Sequence, residues 1–260
     1  MTDLFASPSA PHSLPLGEGR GEGAPARHSR VPPAPRGFTL VELLVVVGII
    51  AMLAALVTPA VIRARSAARS AAIDTEIDLL HMAIMTYRNE YGSFPPCSSS
   101  LTLPSGPAGK HLARLFPRIT DVNAELRNGV ANPPPLVPSA ALSVWLQGYT
   151  NDPTCPVTGT NTGGPRKRLF DFDRTRIQGT GAYAPVGLPN SPYVYIDNTA
   201  YGTAFPVGTN TYTAEASGGA FFNPDTFQIL CAGLDQIWGT ADDLSNFWRG
   251  TRQQHAASSQ

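Results

Sequence analysis

The 260-residue chain has no surplus of either charge: 19 Lys and Arg stand against 19 Asp and Glu. That balance gives no surplus that would imply a polyanionic or polycationic partner. Cysteine is scarce. Cys97, Cys155 and Cys231 lie far apart and form no CxxC pair; they allow one disulfide and one leftover thiol, and the spacing leaves the pairing open. No HExxH, no GxSxG and no clustered His/Cys set occurs, so an enzymatic reading has no residues to name. The stretch SGPAGKH lacks the GxxxxGK[ST] spacing, with His111 after Lys110 where a phosphate loop carries a hydroxyl.

What the chain does have is 25 prolines and 24 glycines, which implies much loop and turn, and one long apolar run. Residues 1–36 are rich in Pro, Gly, Ala and Arg with almost no apolar clustering, and read as a disordered leader. From Phe38 to Ile62 there are 25 residues with a single charge, Glu42. As a helix they rise roughly 37 Å, enough to span a hydrocarbon core of about 30 Å. The run is too long for a secretory signal's apolar region of roughly 7–15 residues. Pro59, lacking an N–H, is expected to kink or loosen the helix. A lone carboxylate at Glu42 is costly in such a segment and calls for a partner.

The helical pattern continues beyond the run. Ile73, Ile77, Leu80, Ile84, Tyr87 and Tyr91 recur at spacings of 4, 3, 4, 3 and 4, one apolar stripe at helical period. The spacing predicts one helix from Phe38 to about Glu90, a rod of roughly 80 Å, ended by Gly92 and the Pro95–Pro96 pair. His81 falls on the polar side of this stripe and reads as an exposed histidine without a role. Short strand candidates follow at 168–173 (RLFDFD), 193–197 (YVYID) and 226–232 (TFQILCA). The expected fold is therefore α+β: a long N-terminal helix whose amphipathic second half packs on a small antiparallel sheet with long loops. Trp145, Trp238 and Trp248 are expected to pack in the core or its loops, and the basic run Arg166–Lys167–Arg168 to form a solvated loop rather than a nucleic-acid contact.

The stretch GFTLVELLVVVGIIAMLAALVTPAV resembles the N-terminal signature of type IV pilins and of the pseudopilins of type II secretion. The resemblance implies cleavage by a prepilin peptidase after Gly37, methylation of the new N-terminal residue Phe38, and a helix proline at Pro59. It places Glu42 at the fifth position of the mature chain. There the carboxylate is free to pair with the Phe38 amine of a neighbouring copy, so that the charge penalises a mis-registered neighbour. Four parts follow: a leader (1–37), a membrane and filament-core helix (38–62), an amphipathic continuation (63–91), and an α+β domain (92–260). The resemblance also implies a bacterial inner-membrane location with the leader in the cytoplasm, the domain in the periplasm, and contacts with other pseudopilins and an assembly platform. YRNEYGSFPP (87–96) and SPYVYID (191–197) are similar to segments of the major pseudopilin type, whereas the Pro-rich stretch between them departs from it.

A second stretch, CAGLDQIWGTADDLSNFW (231–248), places Asp235, Asp242 and Asp243 in one acidic loop, 233–246, with Gly233 and Gly239 for turns. It is no EF-hand, but it resembles the calcium loop of major pseudopilins, except that Gln236 stands where a glycine would turn more easily. Bound Ca²⁺ would pin the last segment on the sheet; a solvated acidic loop is the plainer alternative. Three functions remain open at this point: a secretion pseudopilin, a type IV pilin for adhesion, motility or DNA uptake, and a signal-anchored calcium- or ligand-binding ectodomain that forms no filament.

Overall fold

The computed structural model describes residues 37–97, 106–122, 125, 136–158, 165–179, 181–207 and 210–258. The leader expected at 1–36 lies outside them, as does most of the Pro-rich stretch between 98 and 135. The chain divides into two units, Met1–Met52 and Leu53–Gln260.

In the first unit, helix α1 (Leu40–Tyr91 over its whole length) begins after Gly37–Thr39, which belong to no helix or strand. Thr39 and Glu42 form a capping box. The Thr39 Oγ1 accepts from the Glu42 N–H at 3.2 Å, and Glu42 Oε2 accepts from the Thr39 N–H at 2.9 Å. Two N–H groups that the first turn leaves without partners are thereby satisfied.

The second unit holds the rest of α1, which runs on through Pro59. Every residue from 37 to 69 is exposed, and burial begins only with the predicted stripe. Ile73, Ile77, Leu80, Ala83, Ile84 and Tyr87 enter the core. The helix stops where expected, at Tyr91, because Gly92 takes a left-handed φ of 78° and returns its N–H to Arg88 at 2.7 Å.

Against that stripe lies an antiparallel sheet of order β1-β6-β7, made of β1 (Val194–Asp197), β6 (Phe227–Cys231) and β7 (Leu244–Ser245). Val194 pairs with Leu230 and Asp197 with Phe227, while Cys231 pairs with Leu244. All three strands are buried at every residue rather than at alternate ones, so both faces of the sheet are covered. Two two-stranded ribbons lie outside it, β2 (Phe205–Val207) with β3 (Asn210–Tyr212), and β4 (Ala216–Ser217) with β5 (Ala220–Phe221).

Helices α2 (Pro107–Leu115) and α3 (Pro138–Leu146) each open on a proline, whose missing N–H is no loss there. A short α4 (Arg252–Ser258) closes the described chain. α3 packs on β1, and its Trp145 donates its indole N–H to the Pro96 carbonyl at 2.8 Å. The neighbouring Pro95 carbonyl accepts from the Tyr195 hydroxyl at 2.7 Å. The proline pair that ends α1 thus also anchors α3 and β1 through carbonyls that no helix uses.

Two expectations need correction. Residues 168–173 form no strand: the Leu169 and Phe170 N–H groups both donate to the Leu146 carbonyl, closing the C-terminus of α3 instead of pairing with a strand. His81 is half-buried rather than idle. Its ring lies 4.9 Å from that of Phe227, and its Nδ1 is 3.1 Å from the Asn246 amide nitrogen. The three cysteines are thiols, Cys97 and Cys231 buried and Cys155 partly so.

Candidate functional site

The N-terminal site is built from few atoms. Gly37 has nothing within 4 Å of where a Cβ would sit, and Phe38 is 76% exposed, so the Gly37–Phe38 bond lies in open chain outside any helix or strand. Four residues beyond Phe38, the Glu42 carboxylate also accepts the Thr39 hydroxyl at 2.8 Å. The helix N-terminus carries a partial positive charge from its unpaired N–H groups, which suits an anion there. Within one chain Glu42 therefore has a local role the sequence reading missed: it caps the helix. Its carboxylate is fully open to a second partner. Past it, Pro59 deprives the Ala55 carbonyl of its usual donor; the Thr58 hydroxyl turns back to the Ala54 carbonyl at 2.7 Å. α1 is long and apolar enough to cross a membrane.

The acidic loop links β6 to β7, so its closure brings β7 to the sheet edge. Gly233, at φ 64°, lies so close to the Asp242 backbone that a Cβ would sit 2.3 Å from the Asp242 carbonyl oxygen. Asp242 organises the turn. Its Oδ2 accepts from the N–H groups of Leu234 (2.7 Å) and Asp235 (3.0 Å), and its Oδ1 from the Thr240 hydroxyl (2.7 Å). Burial pushes the Asp242 carboxyl up, but these donors outweigh it and hold it below the usual range. The exposed Asp235 accepts from the Ile237 N–H at 2.8 Å.

Asp243 differs. It is 3% exposed, and burial pushes its carboxyl up to about 6 despite the Gly239 N–H and nearby Arg252. Its Oδ2 accepts from Gly239 N–H at 2.9 Å and faces the Arg252 guanidinium at 3.6 Å; its Oδ1 is enclosed without a partner. Among the described residues, no group of three or more His, Cys, Asp or Glu side chains converges as a ligand set. The donors are nonetheless the hard oxygens that Ca²⁺ selects, and an enclosed carboxylate oxygen without a hydrogen-bond donor is what such an ion would satisfy. Asp243 is thus the residue best placed to hold it, with Asp235 and Asp242 beside it in the same loop.

Sequence reading also missed the charged joint between α1 and the domain. Glu76, on α1, accepts from Arg176 Nη2 (2.5 Å) and the Tyr193 hydroxyl (2.5 Å) on one oxygen, and from the Tyr183 hydroxyl (2.9 Å) on the other. Arg176 lies over the Tyr183 ring at 4.4 Å. Burial raises the Glu76 carboxyl, yet the three donors bring it below its ordinary value. No local pattern marks it, since its partners are more than a hundred residues away or close to it. Two members of the basic run make exposed ion pairs, Lys167 with Glu90 on α1 at 2.8 Å and Arg168 with Asp171 at 3.5 Å.

Compared with known families, residues 34–58 match the model described as the prokaryotic N-terminal methylation motif. The match covers the Gly37–Phe38 junction, Glu42 and the helix start, and supports a type IV pilin-like N-terminal segment. No curated protein and no solved structure matches the chain.

Proposed function

We propose that this chain is a prepilin-type structural subunit of a type II secretion pseudopilus. A prepilin peptidase cuts it between Gly37 and Phe38 and methylates Phe38; residues 38–62 then anchor it in the bacterial inner membrane before packing as the filament core. The domain from residue 92 onward faces the periplasm, carried on the amphipathic stretch 63–91. The observation that carries this reading is the methylation motif at the mouth of an exposed apolar helix whose continuation bears a packed domain.

The mechanism is charge pairing in register. Cleavage creates an ammonium at Phe38, one helical turn from Glu42. A carboxylate held by the Thr39 cap but open on its outer side presents its charge to the ammonium of a neighbouring copy. In hydrocarbon an unpaired carboxylate and ammonium are both costly, so subunits that stack out of register are penalised. The exposed stretch from 37 to 69 is the surface that copies of the chain would cover. Placement in secretion, rather than among pili for adhesion, motility or DNA uptake, is supported by the two segments that resemble pseudopilins. They meet in the fold, where the Tyr195 hydroxyl donates to the Pro95 carbonyl at 2.7 Å.

The test is Glu42→Ala in cells that make the filament. Membrane insertion stays intact while assembly and export fall; a normal filament from that variant would sink the proposal and favour a plain signal anchor.

A second reading concerns the acidic loop. The enclosed, unpartnered Asp243 Oδ1 supports a structural Ca²⁺ site with Asp235 and Asp242. The ion would stabilise the closed loop, and through it β7 and the segment to Trp248, wherever Ca²⁺ is available. Melting the purified chain with Ca²⁺ and with chelator tests it: no difference would leave the loop a solvated acidic turn.

A further inference from the structure

Between residues 43 and 73, α1 carries no acidic residue and three arginines, Arg63, Arg65 and Arg69. All three are exposed, and among the described residues none of them forms an ion pair. Arg65 and Arg69, one helical turn apart, share a face with Ala72, Ile73 and Glu76. They are cations without a carboxylate partner, placed just past the apolar run that ends at Ile62.

The domain sets an apolar tip against that same face. Residues 184–192 form a loop whose neck is closed by the Tyr193 N–H on the Tyr183 carbonyl at 2.8 Å. The hydroxyls of both tyrosines donate to Glu76, which pins the neck to α1. From Glu76 the loop turns back along the helix towards the apolar run: Val186 and Leu188 line a cavity of about 280 Å³ with Arg69, Ala72 and Ile73. Its tip is a tight turn, the Leu188 N–H donating to the Pro185 carbonyl at 3.1 Å and Gly187 taking φ 75°. Such tips are usually polar or glycine, yet Val186 stands there 77% exposed. An apolar tip beside free guanidinium groups suits a phospholipid surface, where phosphate meets the cation and the apolar side chain enters between headgroups.

The height agrees. Arg69 lies about 10 Å along the axis beyond Ile62, and a headgroup layer is about 5–8 Å deep. The 25-residue run rises roughly 37 Å against a core of about 30 Å, an excess that a helix accommodates by tilting. Tilt lowers one side of the domain onto the bilayer, and interfacial arginines select the side. Only a tilt towards Arg65 and Arg69 brings the Val186 turn down with them.

We propose that the Val186 turn, together with Arg65 and Arg69, seats on the phospholipid headgroup layer while the chain is membrane-anchored. The contact fixes the direction in which α1 leans. The proposal rests on the reading of residues 38–62 as the membrane span.

The test attaches a fluorescent bimane to Val186→Cys in the full chain, one chain per nanodisc of phosphatidylethanolamine and phosphatidylglycerol containing a headgroup-nitroxide lipid. Cys155→Ser clears the background, since Cys97 and Cys231 are buried. Val57→Cys, inside the span, and Asn89→Cys, exposed and about 40 Å along α1 beyond Ile62, serve as references. The label at 186 is expected to be quenched by the nitroxide and shielded from aqueous iodide, and the label at 89 to show the reverse. Arg65→Gln with Arg69→Gln should lower the population held at the surface by about 5-fold for each arginine, and Arg65→Lys with Arg69→Lys should restore it. A label at 186 as open to iodide as that at 89, with Val57→Cys still shielded, overturns the proposal and leaves the membrane reading standing. Iodide that reaches the label at 57 overturns both. Shielding at 186 that appears only when several chains share a disc assigns the surface to a second copy and overturns the lipid contact.

Discussion

Replacing Glu76 by Gln tests how the second half of α1 is fastened to the domain. The change keeps the volume and removes one charge. Three donors lose their carboxylate, and the Arg176 side chain, 16% exposed, loses its counter-charge. Hydrogen bonds to charged groups contribute about 1.5–3 kcal/mol each, but bonds to one carboxylate are not additive. Breaking a fully buried pair costs about 3–5 kcal/mol. Glu76 is 18% exposed, so water relieves part of that, and the Gln carbonyl keeps one acceptor. The expected loss is about 2–3 kcal/mol at pH 7. It is read from urea midpoints of the full chain in mild detergent, by tryptophan fluorescence. The pH dependence has a definite sign. The folded carboxyl lies below its unfolded value of 4.5, so its contribution is present above that pH and fades as pH falls through the folded value. The parent should therefore lose its advantage over Glu76→Gln in acid. A loss under about 1 kcal/mol, or a gap that persists unchanged at pH 3, would refute the argument that this carboxylate is a structural anion.

Two further substitutions probe the core. Gly148→Ala would force a side chain onto a φ of 72° and place its Cβ 1.7 Å from the Lys167 carbonyl oxygen, a clash with backbone; the unfolding free energy from urea melts should fall by about 3 kcal/mol, and a loss within about 1 kcal/mol would contradict the close approach of 167 to the end of α3. His111, 8% exposed and 2.7 Å from the Tyr87 hydroxyl, is lowered from 6.5 to about 4, first by burial and then by Arg114. Its neutral form stabilises fully above pH 6.5 and progressively less as pH falls towards 4. The parent should lose about 3 kcal/mol over that window relative to His111→Gln, and parallel pH profiles would exclude the role.

The parts of this fold legible in sequence are those set by local periodicity. Ile73, Ile77, Leu80, Ile84 and Tyr87 share a helical face by spacing alone, and they are the residues that α1 buries. β1 and β6 were legible because apolar and aromatic residues run together between turn residues. RLFDFD carries the same composition, but its backbone donors go to a helix end, a tertiary event that no window of six residues encodes. Glu42 stood out as a lone charge, yet its capping of Thr39 was overlooked beside the apolar run, although Thr-x-x-Glu is written in the sequence. The acidic loop was visible as three aspartates, but their unequal roles were not. Asp242 spends its oxygens on the turn and Asp243 is sealed in the core, because β7 draws position 244 inward and 243 follows it. By helical spacing His81 reads as a surface residue, and Glu76 carries no local signal at all. Their partners arrive from Tyr183, Tyr193 and Asn246, and only the folded chain brings those within reach.

The central claim is that the chain is processed as a prepilin, and mass spectrometry of the N-terminal peptide from membrane-extracted protein addresses it most directly. The account predicts a chain that begins at Phe38 with a methylated amine. A chain that retains its leader, or one cut beyond Ile62, would contradict it, and Glu42 would then be left with its helix cap as its only role.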